Sequence, residues 1–366
     1  MKKRMSLFLA LLMVFTLALT ACGQKTSDNG GNAAQTGEPA QNGEASKPGK
    51  VYELNFSSQA AESSTNAVWA KLMADKISEV TDGGVKITWY FSSTLVGEND
   101  VVSAIRSRLC DGGEIPMARQ AGAFPLFNLL MEPYSNLGDG TTVWANVVSP
   151  LLSEFPEMAA EFKGLHIGGF YCCTNGGTMH TTSAVRVPAD LKGKMLSTVT
   201  AFQTNITTAA GGSPMSLEAS EWYTSFERGL ADGMWMTWGA IQGMKLYEVL
   251  PYHTIFPSGT DRSMTVLGFN EDMWNSLPAE YQEAIDGVVA WGCEQWPAIE
   301  AEDYENMKTM LLDEGNTFLE LTPEEEAEWS ELAADLIQQD VDKVDAQGLP
   351  GTAVYERILE LGADNG

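Results

Sequence analysis

The sequence contains little of the chemistry that marks a metal site or a nucleophilic enzyme. It has five cysteines and three histidines in 366 residues, and no two cysteines are spaced as a CxxC pair. A structural zinc site is therefore not expected, and the dispersed histidines indicate no metal cluster. The P-loop, GxGxxG, GxSxG and HExxH motifs are also absent. These absences favour binding over catalysis, and we expect no cofactor.

Basic residues are scarce as well. The chain has 22 lysines and arginines against 49 acidic residues, a formal net charge of −27. Such a charge repels phosphates, so nucleic acid is not an expected partner. Acidity also keeps a solvated surface soluble, so charge alone leaves open whether the protein attracts cations.

Long apolar runs are missing after residue 22, but a short one lies near the N-terminus. Lys2, Lys3 and Arg4 precede the apolar run Leu7–Leu19, and the sequence Leu-Thr-Ala-Cys then ends at Cys22. A basic stretch, a short apolar stretch and a small-residue cleavage site predict a signal peptide over residues 1–21. Cys22 is then the expected lipidation site and membrane anchor. The alternatives are a stop-transfer helix or a buried cysteine.

The next segment is polar and offers almost nothing to bury. Residues 22–50 are rich in Gly, Asn, Gln, Ser, Thr, Ala and Pro. This composition is typical of a flexible linker, so the folded region is expected to start at Val51.

Strand and helix patterns alternate from there. Residues 52–56 predict a strand, 63–80 a helix, 85–91 a second strand and 100–109 a second helix. This order predicts an α/β fold with a parallel sheet covered by helices on both faces. Amphipathic helices, among them Pro323–Asp345, dominate the region after Ala279.

A set of ordered motifs resembles the DctP family, the extracytoplasmic solute-binding proteins of tripartite ATP-independent periplasmic (TRAP) transporters. The resemblance runs from about Tyr52 to about Val289. Its most specific parts are Arg186–Gly193 (RVPADLKG), Ala210–Pro214 (AGGSP), Glu221–Thr224 (EWYT) and Gly229–Gly233 (GLADG).

The resemblance implies a two-lobed periplasmic-binding-protein-like α/β fold. It has hinge strands, a long helix crossing both lobes and a helical C-terminal tail. Lobe I is expected over residues 51–174 and 262–290, lobe II over 175–261, and C-terminal helices packing on both lobes over 291–366. The resemblance also implies that a solute bound between the lobes stabilises the closed form, which TRAP membrane permease subunits then recognise.

Two positions depart from the family pattern. The arginine that usually grips a ligand carboxylate is replaced by Ser197, and a polar asparagine is replaced by Met236. The resemblance therefore implies a cleft that is more apolar and less suited to a simple dicarboxylate. The expected ligand is a small organic solute that is aromatic, neutral or cationic.

Further residues are candidates for the ligand site. Trp235 and Trp238 flank Met236, and periodicity alone favours a place in the core, whereas the resemblance places Trp235 and Met236 beside the cleft. The remaining candidates are Tyr171, Asn175, Glu114 and Arg119. Glu114 and Arg119 are equally compatible with plain surface positions.

Two other functions stay open. An enzyme on the same fold could use Cys172 or His180, and a sensory lipoprotein would bind a solute without transport. Cys172 and Cys173 are adjacent and are compatible with either a vicinal disulfide or small buried thiols.

Overall fold

The computed structural model describes residues 50–135, 137, 143–173, 178–218, 221–257 and 263–363, apart from the side chains of residues 170–173 and 263. No helix in these ranges is long and apolar enough to cross a membrane. The predicted signal peptide, Cys22 and most of the predicted linker lie outside the described residues.

The described strands form two separate sheets. They are β1 Tyr52–Ser57, β2 Val85–Tyr90, β3 Gly112–Pro116, β4 Leu165–Cys173, β5 Thr178–Thr181, β6 Met195–Ser197, β7 Ser213–Met215, β8 Gly233–Met236, β9 Tyr252–Ile255, β10 Ser263–Asn270 and β11 Thr317–Glu320. The first sheet has the order β2-β1-β3-β10-β4 and the second the order β11-β9-β5-β8-β6-β7. We call these two sheets and the helices packed on them lobe I and lobe II.

Helices cover the sheets and extend over the C-terminal region. They are α1 Thr65–Val80, α2 Val101–Arg106, α3 Pro125–Asn128, α4 Ser149–Glu154, α5 Pro156–Ala160, α6 Ala201–Ala209, α7 Trp222–Glu227, α8 Trp238–Gly243, α9 Glu271–Asn275, α10 Ala279–Asp313, α11 Pro323–Asp345 and α12 Gly351–Ala363. Shorter helical turns occupy residues 117–119, 129–131, 144–148, 188–191 and 246–248.

Local sequence explains where several helices begin. Ser64 caps α1 by accepting a hydrogen bond from the backbone N–H of Ala67. Thr322 and Glu325 form a capping box at the start of α11, and Pro323 occupies its first turn. Both arrangements satisfy backbone donors that a helix start otherwise leaves unpaired.

Neither sheet is purely parallel, which corrects the sequence-based expectation. In lobe I, β1 runs parallel to β2 and β3, whereas β10 runs antiparallel to β3 and β4. In lobe II, β5 is antiparallel to β8 and β9. The antiparallel pairs involve β4, β5, β9 and β10, the strands at which the chain leaves one sheet and enters the other. The local hydrophobic pattern of a strand does not indicate its direction relative to its neighbours.

The long helix α10 packs on both lobes. Its first half places Ile285, Val288 and Val289 in the core of lobe I. Its second half places Met307 and Leu311 against Trp238 of lobe II. Pro297 lies inside the helix between these two halves.

The C-terminal region joins the lobes a second time. Trp329, Ala333 and Ile337 of α11 belong to the lobe II core, and later residues of α11 and α12 belong to the lobe I core. The region is not entirely helical, however. β11 adds an edge strand to the lobe II sheet by pairing parallel to β9, which the prediction of a helical tail omitted.

The domain bounds themselves stay a prediction. β10 lies in the lobe I sheet. The predicted bounds of lobe II fall at or within residues 174–177 and 258–262, which lie outside the described residues.

Candidate functional site

A cavity of about 420 Å³ lies where lobe I, lobe II and α10 meet. Its size falls in the usual range for small-molecule sites, roughly 300–1,000 Å³. Lobe I contributes Ala61 and the segment 63–66 before and at the start of α1, and lobe II contributes residues 237–239, 242 and 243 around α8. A second cavity, of about 410 Å³, is bounded by lobe I residues alone, so only the first can respond to a change in the angle between the lobes.

One face of α10 forms a wall of this cavity. The wall residues are Trp296, Glu300, Asp303 and Tyr304. Positions four and seven or eight apart lie on the same side of an α-helix, so the single helix presents aromatic rings and carboxyl groups together.

Aromatic rings form much of the apolar surface. Trp238 is 8 % exposed, and its ring lies 5.6 Å from that of Tyr304 and is stacked 5.4 Å from that of Phe318. Trp296 packs edge-on against Trp69 of α1 at 5.9 Å between centroids. The indole Nε1–H of Trp238 has no hydrogen-bond partner among the described residues.

Two buried histidines pack against the Trp238 ring inside lobe II. The rings of His180 and His253 lie 4.7 Å and 5.2 Å from the Trp238 ring. Their Nδ1 atoms are 2.8 Å apart, and Nε2 of His253 lies 2.9 Å from Oδ1 of Asn316. Burial lowers the pKa of His253 to about 4 and holds the pKa of His180 well below its usual range.

His180 lies in the interior of lobe II. The ring is fully buried and hydrogen-bonded to a second imidazole. The ring also packs edge-on against Trp238. The Cys172 and Cys173 side chains lie outside the described part of the structure, so both alternatives for that pair stay open.

The lining of the cavity is acidic. Glu300 and Asp303 are half-buried, and no Lys, Arg or His is among the lining residues that the structure describes. Asp303 forms no salt bridge with any described basic side chain. No group of three or more His, Cys, Asp or Glu in the described ranges could hold a metal ion.

Of the residues expected to bind ligand, Trp238 lines the cavity. Met236 lies two residues before it and its backbone oxygen faces Nε2 of His180 at 3.2 Å. Trp235 is 1 % exposed in the core of lobe II, where Nε1–H donates to Oγ1 of Thr207 at 3.1 Å. The structure thus gives Trp235 the core position that periodicity favours, because its neighbour on the strand faces the opposite side of the sheet.

Ser197 lies at the end of β6 between Met234 of β8 and Met215 of β7. It is completely buried, and its Oγ has no partner among the described residues. It does not line the cavity.

Glu114 and Arg119 also lie away from the cavity lining. Glu114 is buried in β3, where its carboxyl accepts a hydrogen bond from the hydroxyl of Ser58. Arg119 makes a contact between the lobes: Nη1 donates to the backbone oxygen of Val199 at 3.2 Å, and Nε lies 3.4 Å from Glu98. The plain surface alternative for Glu114 is wrong, because the side chain is 1 % exposed.

Two candidates cannot be placed. Asn175 lies outside the described residues, and of Tyr171 only the backbone is described, paired with Thr265 across β4 and β10.

Sequence reasoning missed most of the cavity. The segment 63–66 and the α10 wall carry no motif of the family resemblance. The one available signal was the spacing of Trp296, Glu300 and Tyr304, which places two aromatic rings and a carboxyl on one helix face.

Comparisons with known proteins support the resemblance drawn from the motifs. The family model "Bacterial extracellular solute-binding protein, family 7" matches residues 56–343. The chain is 25 % identical over 248 residues to the 2,3-diketo-L-gulonate-binding periplasmic protein YiaO of Escherichia coli, covering 64 % of this chain and 71 % of that protein. It is 26 % identical over 140 residues to the C4-dicarboxylate-binding periplasmic protein DctP of Rhodobacter capsulatus, covering 38 % and 41 %.

Solved structures share the fold. A TRAP solute-binding protein from Rhodoferax ferrireducens in complex with copurified benzoate superposes with a TM-score of 0.75 at 20 % identity, covering 86 % of this chain and 98 % of that one. A marine metagenome TRAP protein specific for aromatic acids, bound to 3-hydroxybenzoate, gives 0.75 at 20 % identity, covering 86 % and 99 %.

These matches confirm the α/β two-lobed fold. The family match spans both lobes, the long helix α10 and most of α11. The chain therefore belongs to bacterial extracellular solute-binding protein family 7, the solute receptors of TRAP transporters.

Proposed function

We propose that this protein captures a small organic solute in the cavity between its lobes and delivers it to TRAP membrane permease subunits. The observation that carries the proposal is the position of the cavity, whose walls come from lobe I, lobe II and the helix that packs on both. A solute that contacts all three walls stabilises one arrangement of the lobes over others. A permease can then distinguish the solute-bound arrangement from the solute-free one.

The solute is not a simple dicarboxylate. The position that resembles the carboxylate-binding arginine of the family is the buried Ser197, and the cavity lining described above has no basic side chain. A dicarboxylate in the cavity would meet two further carboxyl groups, those of Glu300 and Asp303, and no basic side chain among the described lining residues, and burying a charge beside like charges is costly.

A screen of the full mature protein by thermal shift tests the proposal. The set contains succinate, malate, benzoate, 3-hydroxybenzoate, neutral polyols and alkylammonium compounds. We expect stabilisation by at least one of these solutes and a weaker response to succinate and malate. Stabilisation by succinate or malate above all others would contradict the assignment of Ser197.

Delivery to a permease needs its own experiment. We expect the solute-loaded protein, and not a variant with a blocked cavity such as Gly239→Trp, to support uptake of that solute by vesicles containing TRAP permease subunits from the same organism. Equal uptake with both proteins would contradict the proposal.

The lipid anchor is part of the same proposal. An acylated Cys22 followed by a polar linker keeps the receptor beside its permease at a raised effective concentration. In cells fed a labelled fatty acid, we expect label on the wild-type protein and none on the Cys22→Ala variant, which should appear in the soluble fraction.

A further inference from the structure

We propose that His180, His253 and Asn316 are positioning residues of the solute site, because they hold Trp238 in the cavity wall. The inference rests on the proposed function, since it concerns how the same cavity is built. None of the three is among the lining residues that the structure describes, so their effect on a solute passes through Trp238. Trp238 lines the cavity but is only 8 % exposed, so most of its surface contacts protein.

The register of the lobe II sheet places the two imidazoles in one row. His180 of β5 lies opposite His253 of β9, and His253 lies opposite Phe318 of β11. Residues directly opposite each other on paired strands project to the same face of a sheet. The rings of His180, His253 and Phe318 lie 4.7 Å, 5.2 Å and 5.4 Å from the ring of Trp238. The Trp238 ring therefore packs on three rings from three neighbouring strands, which we call the ring platform.

Hydrogen bonds fix the orientation of the two imidazoles. The Nδ1 atoms of His180 and His253 are 2.8 Å apart, and Nε2 of His253 lies 2.9 Å from Oδ1 of Asn316. Asn316 is itself buried, and its backbone N–H donates to the backbone oxygen of Leu311 in α10 at 2.9 Å. The chain of contacts thus runs from α10, which forms one wall of the cavity, to the ring platform beside Trp238, which belongs to another wall.

Stability alone gives no reason for imidazoles at these positions. Burying a polar ring costs free energy, and apolar side chains of similar shape can replace a buried hydrogen-bonded pair at little cost or with a gain. A buried hydrogen-bonded network instead restricts the interior to one arrangement. Leucines at positions 180 and 253 would fill the space without fixing the Trp238 ring, whereas the hydrogen-bonded imidazoles hold it in one orientation.

Fluorine NMR on the full mature protein labelled with 5-fluorotryptophan tests the inference without any solute. The chain has ten tryptophans, and the Trp238 resonance is the one lost in Trp238→Phe. In His180→Leu/His253→Leu we expect this resonance to shift or broaden, because the ring loses its fixed support. Asn316→Ala keeps both imidazoles and removes the acceptor for His253. It should change the same resonance to a smaller extent, and it provides the test if the double variant does not fold.

Solute affinity gives the second readout. Titration calorimetry uses the member of the thermal-shift set that stabilises the wild type most. We expect the double leucine variant to bind this solute about fivefold more weakly or worse, while its melting temperature stays within about 5 °C of the wild type. A loss of affinity at nearly equal stability separates a positioning role from general support of the fold.

Thr254→Val is the matched control. Thr254 follows His253 on β9, is fully buried, and donates its hydroxyl hydrogen to the backbone oxygen of Val185 at 2.6 Å. Successive side chains of a strand point to opposite faces, so Thr254 lies on the other face of the sheet from the ring platform. Its replacement removes one buried hydrogen bond and should lower stability, but it should leave the Trp238 resonance and the solute affinity as in the wild type.

The possible failures are distinguishable. An unchanged Trp238 resonance or an unchanged affinity in the folded double variant would overturn the inference and leave the receptor function in place. Equal changes in Thr254→Val would overturn it as well, because the effect would then be a general response of lobe II. The receptor function fails only if no solute of the wider set binds the wild type, and the fluorine experiment needs no solute.

Discussion

The Nδ1 atoms of His180 and His253 lie 2.8 Å apart in the interior of lobe II, behind the aromatic wall of the cavity. With His253 donating from Nε2 to Asn316, its Nδ1 is the acceptor for the Nδ1–H of His180. A proton on Nε2 of His180 would have an acceptor in the backbone oxygen of Met236, but it would place a positive charge on a fully buried ring. Desolvation outweighs that hydrogen bond, so both rings are neutral.

The first prediction concerns the charge of this pair. Between pH 7.5 and pH 5, the ring resonances of His180 and His253 should not titrate in an NMR experiment. The chain has three histidines, so variants of each suffice for assignment. A midpoint near pH 6.5 for either ring would contradict the buried neutral pair.

The same shifts give the sign of the effect on stability. A histidine with a lowered folded pKa binds fewer protons when folded, so the pair's contribution to stability is present above the unfolded pKa, about 6.5, and is lost as pH falls toward 4. Glu161 acts oppositely, because burial raises its pKa to about 7. The contribution of Glu161 to the free energy of unfolding is present at low pH and is lost as pH rises to about 7. The contribution of the two histidines is therefore measured as the difference in pH-dependent stability between the wild type and a His180→Gln/His253→Gln variant.

The second prediction concerns the contact between the lobes made by Arg119. Arg119→Gln removes both the hydrogen bond to Val199 and the ion pair with Glu98. These partly exposed contacts are worth about 0.5–1.5 kcal/mol, so we expect a shift of the lobe arrangement and a change in solute affinity of about twofold to tenfold. Small-angle scattering without ligand measures the shift.

Arg108→Gln is the control for Arg119. Arg108 also pairs with an acidic residue, Asp111, but within lobe I. Its replacement should leave both scattering and affinity unchanged. Complete loss of binding in Arg119→Gln, with no change in scattering, would instead support the direct ligand role that the sequence suggested.

The fold was predictable where a local signal decides the structure. Thr322, Pro323 and Glu325 form a capping box with proline in the first turn, and the helix that they begin matches its prediction over Pro323–Asp345. The second predicted helix, by contrast, ends early at Arg106 because Arg108 adopts a left-handed conformation with φ of 60°. Its side chain carries no signal for that turn.

Features that depend on distant partners were not predictable. The four-residue strand β11 becomes a strand only because β9, about 65 residues earlier, offers it a free edge. The α10 wall becomes part of a cavity only because two other segments approach it. Trp235 and Met236 are adjacent, and which of them faces the core is set by strand register, which one residue of slip reverses.

The third prediction concerns Ser197. Because its buried hydroxyl has no partner among the described residues, Ser197→Ala should be neutral or stabilising by about 0.5–1 kcal/mol. Ser197→Arg should destabilise the protein strongly, because the guanidinium would enter a fully buried site. Urea unfolding measures both.

Ser58→Ala is the matched comparison. Ser58 is equally buried, but its hydroxyl donates to Glu114, so its loss should cost about 1–3 kcal/mol. If both serine-to-alanine variants lose the same free energy of unfolding, the Ser197 hydroxyl has a hydrogen-bond partner in the folded protein, which would contradict this prediction.

The fourth prediction concerns Arg186, the first residue of the RVPADLKG motif. Its guanidinium donates to Glu325 and to the backbone oxygen of Glu320, and its own backbone oxygen accepts from Trp329. These hydrogen bonds therefore connect α11 to the motif in lobe II. Arg186→Gln should lower the melting temperature and leave solute affinity per folded molecule unchanged, whereas Arg186→Lys should recover part of the loss since it keeps the charge without the planar fork.

The fifth prediction separates the two tryptophans that flank Met236. Trp235 is enclosed by Phe256, Trp329 and Thr207 in the core, whereas Trp238 lines the cavity. Trp235→Phe should lower the free energy of unfolding by about 1–3 kcal/mol, because a smaller ring leaves a void and Thr207 loses its donor, and it should not change solute affinity. Trp238→Phe should do the reverse, with weaker binding and a smaller change in stability. Urea unfolding and calorimetry on the same two variants measure stability and affinity. A loss of affinity confined to Trp235→Phe would contradict the prediction and support a direct ligand contact by Trp235.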